Sequence, residues 1–147
     1  MADLLQEEIA PVVKVRIGKK SYPLAFPIAA VLLFKQKTGE NLFRVDTWMA
    51  INSDLKEDDP QRYTFKLDAQ EQPEKFLALL EAGLYGGLLL ENESATPADI
   101  PKVGASVNLS NADRIGAKLV EVLVAHIAQR AKPEEESQPD PPMAESK

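Results

Sequence analysis

The chain has 147 residues, with 17 Lys and Arg against 23 Asp and Glu, one His and no Cys. That length suits one domain whose hydrophobic core needs no covalent staples, and the lack of cysteine excludes disulfides, thiolate metal sites and a Cys nucleophile. The opening "MADLLQEEIA" has no basic stretch ahead of an apolar one, so no secretory signal is expected, and the apolar runs fall far short of the roughly 20 residues that span a bilayer.

Charge is unevenly spread. Residues 14–44 carry seven Lys and Arg against Glu40 alone, about +6, while residues 45–99 carry twelve acids and four bases, about −8. In chain order, residues 1–11 read as a flexible N-terminus. The basic region then opens with "VKVRIGKKSYPL" (13–24), where Val13, Val15 and Ile17 alternate with Lys14 and Arg16 as in a half-buried strand. Gly18-Lys19 supplies a two-residue turn with Gly18 at positive φ. That register sets Ile17 opposite Lys20, Val15 opposite Tyr22 and Val13 opposite Leu24. Lys14 and Arg16 then line a solvated sheet face, a better reading than a phosphate site because no glycine-rich loop opens a helix here. Pro23 donates no ladder bond, which puts the second strand at an edge.

Pro27 then marks a first helical position before "IAAVLLF", whose Ile28, Val31, Leu32, Leu33 and Phe34 surround the axis and predict burial on most sides. Gly39 is the expected stop. A second short helix is expected over 42–51, a charged loop over 52–62, and a third short strand at "YTFKL" (63–67) beside the hairpin. Asp68 with Glu71 resembles a capping box ahead of a helix that Gly86-Gly87 weaken or end, with Phe76, Leu77, Leu79, Leu80 and Leu84 on one broad face. Thr96-Pro97-Ala98-Asp99 starts a short helix ending near Gly104. Ser110 or Asn111 caps the last helix, which runs to about Arg130. From Ala131 the sequence turns to Pro, Glu, Ser and Gln, a composition expected to be disordered. The fold expected is α+β, mainly α: a single domain over 12–130 with an N-terminal hairpin on about five helices, and an acidic tail over 131–147.

Sites for chemistry are scarce. His126 continues the Ile115–Leu119–Val122 stripe, and one His without partners at metal or triad spacing reads as a packed or interface residue with a satisfied nitrogen. "KEDDPQ" (56–61) lacks the ligand alternation of a calcium loop. Nucleic acid is disfavoured, since Tyr22 is the only aromatic within the hairpin's basic run and the whole chain is acidic. No catalytic residue, metal or cofactor is expected. What stands out is surplus apolar surface. Val120, Val124 and Ile127 lie to one side of the last helix's core stripe, and Leu84, Tyr85 and Leu88 surround Gly86-Gly87. An arc wider than about 100° exceeds what one core face uses, and these six residues are the expected partner-binding positions.

The order "VKVRIGKKSYPLAF", an apolar helix, "KTGENLF", "PEKFLALLEAGLYGG", "TPADI" and a closing amphipathic helix resembles the tail assembly chaperones of long-tailed bacteriophages, over roughly residues 12–130. The resemblance implies a non-enzymatic protein of the host bacterial cytoplasm that coats and solubilises the tape measure protein and helps recruit major tail tube subunits. Neither nucleic acid nor membrane is implied as a partner, and a homo-oligomer is compatible with it. The acidic loop at 52–62 is long for that pattern. The rival class is a structural tail or head–tail completion subunit, which, unlike a chaperone, would be present in finished virions.

Overall fold

The computed structural model describes residues 11–137, with side chains described as far as Gln129. The expectations for residues 1–10 and for 138–147 lie outside these bounds. Strands β1 (Val13–Ile17) and β2 (Lys20–Leu24) form the expected hairpin, in the expected register, with Gly18 at φ 66°. Val15, Ile17 and Leu24 are buried, while Lys14, Arg16, Lys19, Lys20 and Ser21 are exposed. The basic run is therefore the wet side of a two-stranded sheet.

Helix α1 (Ile28–Thr38) takes Pro27 as its N-cap, one position earlier in the helix frame than expected. It stops at Gly39, whose left-handed conformation (φ 80°) lets its N–H donate to the Lys35 carbonyl at 2.7 Å. Its burial is one-sided: Ala30, Val31, Leu33 and Phe34 are enclosed, but Ile28 and Leu32 are 59% and 52% exposed. The burial on most sides expected of this helix does not occur, because α1 packs against one helix and leaves its far side open.

The 42–51 helix is absent. Residues 45–47 make one 3-10 turn, and Met49–Ile51 is a strand, β3, paired antiparallel with β4 (Tyr63–Phe65). The "YTFKL" strand thus exists but joins a separate sheet, not the hairpin. The reason is Trp48, which is buried at 2% exposure with its indole N–H donating to the Leu42 carbonyl at 3.2 Å. The turn that carries Leu42 and Trp48 into one core cannot also continue as a helix. The charged loop between β3 and β4 is held by Asx turns at Asn52 and Asp59.

Helix α2 (Pro73–Glu91) runs straight through Gly86-Gly87. These glycines do not end the helix; they let the hairpin touch it. A Cβ on Gly86 would lie 1.9 Å from the Ala25 carbonyl oxygen, and one on Gly87 2.0 Å from that of Pro23. The Ala25 N–H donates to the Gly83 carbonyl at 3.1 Å, so α2 covers the β2 edge that Pro23 marks. Thr96–Asp99 closes only a single 3-10 turn over Pro97–Asp99, its Thr96 N–H donating to the Asp99 carboxylate at 2.9 Å. The chain then continues irregularly, burying Val103, to helix α3 (Ala112–Ser137). That helix passes Arg130 and continues seven residues into the segment expected to be disordered. Three α-helices, not about five, make up the mixed α+β fold among the described residues. One apolar cluster joins both hairpin strands, Phe34, Trp48, α2 and the Ile115–Leu119–Val122 stripe of α3.

Candidate functional site: an apolar cleft beside the last helix

The six expected partner-binding residues do not form one surface. Leu84 is 2% exposed and belongs to the core, so it is withdrawn from any interface. It faces inward because it lies on the side of α2 that packs into the common core with the hairpin and α1. Tyr85 and Leu88 are half-buried on α2. On α3, Val124 is exposed at 43%, while Val120 and Ile127 are half-buried and Ile127 packs against the core cluster. Those three sit at i, i+4, i+7, one ridge of the helix.

Ile127 also lines an open cleft of about 280 Å³. Its walls are Phe26 and Val31 from the start of α1, Leu42, Phe43, Val45 and Trp48 from the turn before β3, and Leu123, His126, Ile127 and Gln129 from α3. Phe43 is 51% exposed at its rim, and Val124 lies one helical step from Leu123 and Ile127. Ile28 and Leu32 are exposed on α1 next to Val31. Sequence reasoning missed Phe26, Val31 and the 42–48 wall, since a helix over 42–51 would have turned those side chains elsewhere. The consecutive Leu42-Phe43 in "ENLF" was the available signal: one side chain goes inside and the other remains outside.

His126 is the one titratable group in the walls. Phe26 meets its ring edge-on, centroids 6.4 Å apart, and burial lowers its pKa from the ordinary imidazole value. Its Nε2 is buried without a hydrogen-bond partner among the described residues, so the expected satisfied nitrogen is not found. An apolar cavity of about 150 Å³ holds one benzene-sized group, so a cleft of this size has room for about two apolar side chains of a polypeptide.

A second apolar recess of about 360 Å³ lies at the other end of α3, between Pro73, Phe76, Leu77, Val107 and the fully exposed Leu109. Four basic residues, Lys35, Arg44, Lys66 and Lys75, line a polar recess, where Lys75 pairs with Glu40, Arg44 meets Asp46 at 3.5 Å, and the Lys66 ammonium donates to the Asp46 carbonyl at 2.7 Å. Half of that positive charge is therefore locally answered. Among the described residues no three His, Asp or Glu side chains gather as a metal site, and no helix is long and apolar enough to cross a membrane. Comparison of the chain with family models, curated proteins and solved structures finds no match.

Proposed function

We propose that the protein is a non-enzymatic assembly chaperone of the phage tail type, holding apolar segments of the tape measure protein in the host cytoplasm and helping recruit tail tube subunits to it. The observation that carries the reading is the cleft between α1, the Leu42–Trp48 turn and α3, with exposed Phe43 at its rim and exposed Val124 beside Leu123. The ordered resemblance of residues 12–130 to that family supports it. A long amphipathic client exposes an apolar stripe that associates with itself, and a groove lined by one helix ridge accepts such a stripe at i, i+3, i+4 anchors. Net charge of −6 keeps the covered complex dispersed. With an interface of about 800 Å² per partner, micromolar binding would suffice, since many copies lined along one client gain from their linkage.

Co-expression with a tape measure fragment tests this. The wild-type chain is expected to keep the fragment in the soluble fraction, and Phe43→Asp with Val124→Asp is expected to lose it while retaining the native far-ultraviolet spectrum. Equal solubilisation by the folded double variant would remove the cleft from the interface.

A further inference from the structure

The turn over residues 41–48 contributes to two neighbouring hollows. Leu42, Phe43, Val45 and Trp48 line the apolar cleft, while Asn41, Arg44, Asp46 and Thr47 line the polar recess of about 680 Å³. Cleft and recess therefore share one wall, a single stretch of chain. Two bonds hold that wall in shape. The Thr47 hydroxyl donates to the Asn41 carbonyl at 2.8 Å, and the Trp48 indole N–H to the Leu42 carbonyl at 3.2 Å. Phe43 and Arg44 follow one another in the chain and both are exposed. A partner that reaches Phe43 finds Arg44 beside it.

The recess holds Lys35, Arg44, Lys66 and Lys75 against Glu40 and Asp46, two more bases than acids, in a chain of net charge −6. Two of these bases are open to a partner. Lys35, in the last turn of α1, is exposed and pairs with no carboxylate among the described residues. Arg44 meets Asp46 at 3.5 Å with the two side chains 73% and 71% exposed, a pair that exchanges readily for another carboxylate. A guanidinium takes such a group through two parallel N–H bonds. Nucleic acid fits less well. Glu40 and Asp46 stand among the bases, and no aromatic side chain among the described residues lines the recess for a base to stack on. Apolar burial is non-directional, so the cleft alone sets no orientation on what it holds, whereas a charge beside it does.

We propose that the recess is the charged half of the client site. An acidic polypeptide segment seats its apolar side chains in the cleft and places a Glu or Asp on Lys35 and Arg44, within about two helical turns or about 11 Å of those anchors. The site thereby prefers amphipathic segments with acidic flanks over equally apolar neutral ones. This rests on the reading of the cleft as a client-binding surface and adds the chemistry of the segment.

Two labelled synthetic peptides test it, each of about 20 residues, long enough to hold a helix. One carries a Leu ridge at i, i+4, i+7 flanked by Glu, and its twin has Gln at the flanking positions. Binding to the full-length protein is followed by fluorescence anisotropy at low ionic strength. The Glu peptide is expected to bind about three- to tenfold more tightly than the Gln peptide. That advantage is expected to vanish at about 1 M salt, where the screening length is about 3 Å. Lys35→Gln with Arg44→Gln, both at exposed positions, is expected to abolish the advantage and leave affinity for the Gln peptide unchanged. Lys14→Gln with Arg16→Gln on the hairpin face is expected to preserve it. If the Gln peptide binds, Phe43→Asp weakens it and Glu adds nothing, the proposal is overturned while the chaperone reading stands. An advantage that survives the Lys35–Arg44 variant, or is lost in the hairpin variant, overturns the proposal too. So does an oligothymidine strand that binds as tightly as the Glu peptide and is released by the Lys35–Arg44 variant, which would make the recess a nucleic-acid site. If neither peptide binds, both readings fall together.

Discussion

A methyl group on Gly86 or Gly87 would enter the backbone of the hairpin, not a pliable side chain. Ala at either position is therefore expected to destabilise the protein by at least about 2 kcal/mol, although Ala favours a helix over Gly by about 1 kcal/mol. Urea unfolding checks it, as a lower midpoint at unchanged slope. At His126 the sign runs the other way from a salt-bridged imidazole. Burial holds the folded pKa below that of the unfolded chain, about 6.5. The unfolded chain therefore takes the proton first, and the stability His126 allows is complete above pH 6.5 and lost as pH falls below it. His126→Gln, which never ionises, is expected to lose less stability than the wild type between about pH 7.5 and about pH 5.5. Paired denaturant titrations read the difference, and identical pH dependence would place His126 in water.

At the scale of the element, α3 serves two surfaces at once. Ile115, Leu119 and Val122 are fully buried, while one step around the helix Val124 is open. Val124→Asp is accordingly expected to cost under about 1 kcal/mol, the range of surface changes. Leu84→Asp on α2, read from the sequence as an interface change, is expected to unfold the chain or cost more than about 4 kcal/mol by burying an unpaired charge. Thermal melts of the two variants separate core from surface directly. The two helices look alike in sequence, each with an apolar arc too wide for one face. They differ because α2 has neighbours on both sides and α3 borders a cleft.

For the whole molecule, one apolar cluster runs from the hairpin through Trp48 to α3 without a polar break. Loss of tertiary structure around the only tryptophan and loss of helix are therefore expected to coincide. Trp48 fluorescence and far-ultraviolet circular dichroism should trace the same urea transition. An earlier fluorescence transition would show that the β3–β4 sheet and its turn unfold as a separate unit. The charge asymmetry belongs to this scale too. The basic hairpin face is solvated, while Lys35, Arg44, Lys66 and Lys75 line one recess with Glu40 and Asp46 among them.

The sequence by itself determined what local chemistry controls. Alternation and a glycine turn set the hairpin and its register. Gly39 stopped α1, and the apolar stripe of α3 chose its core face. Only tertiary structure decided the rest, because each remaining choice depended on a neighbour distant in the chain. Trp48 and Leu42 reach the same core by a turn, which unmade a helix that periodicity allowed. Gly86 and Gly87 continue α2 because Ala25 and Pro23 need the room. Leu84 is covered and Val124 is not, since burial is a property of what packs against a helix and not of the helix alone. The cleft itself is assembled from three segments distant in the chain, and no stretch of sequence contains it.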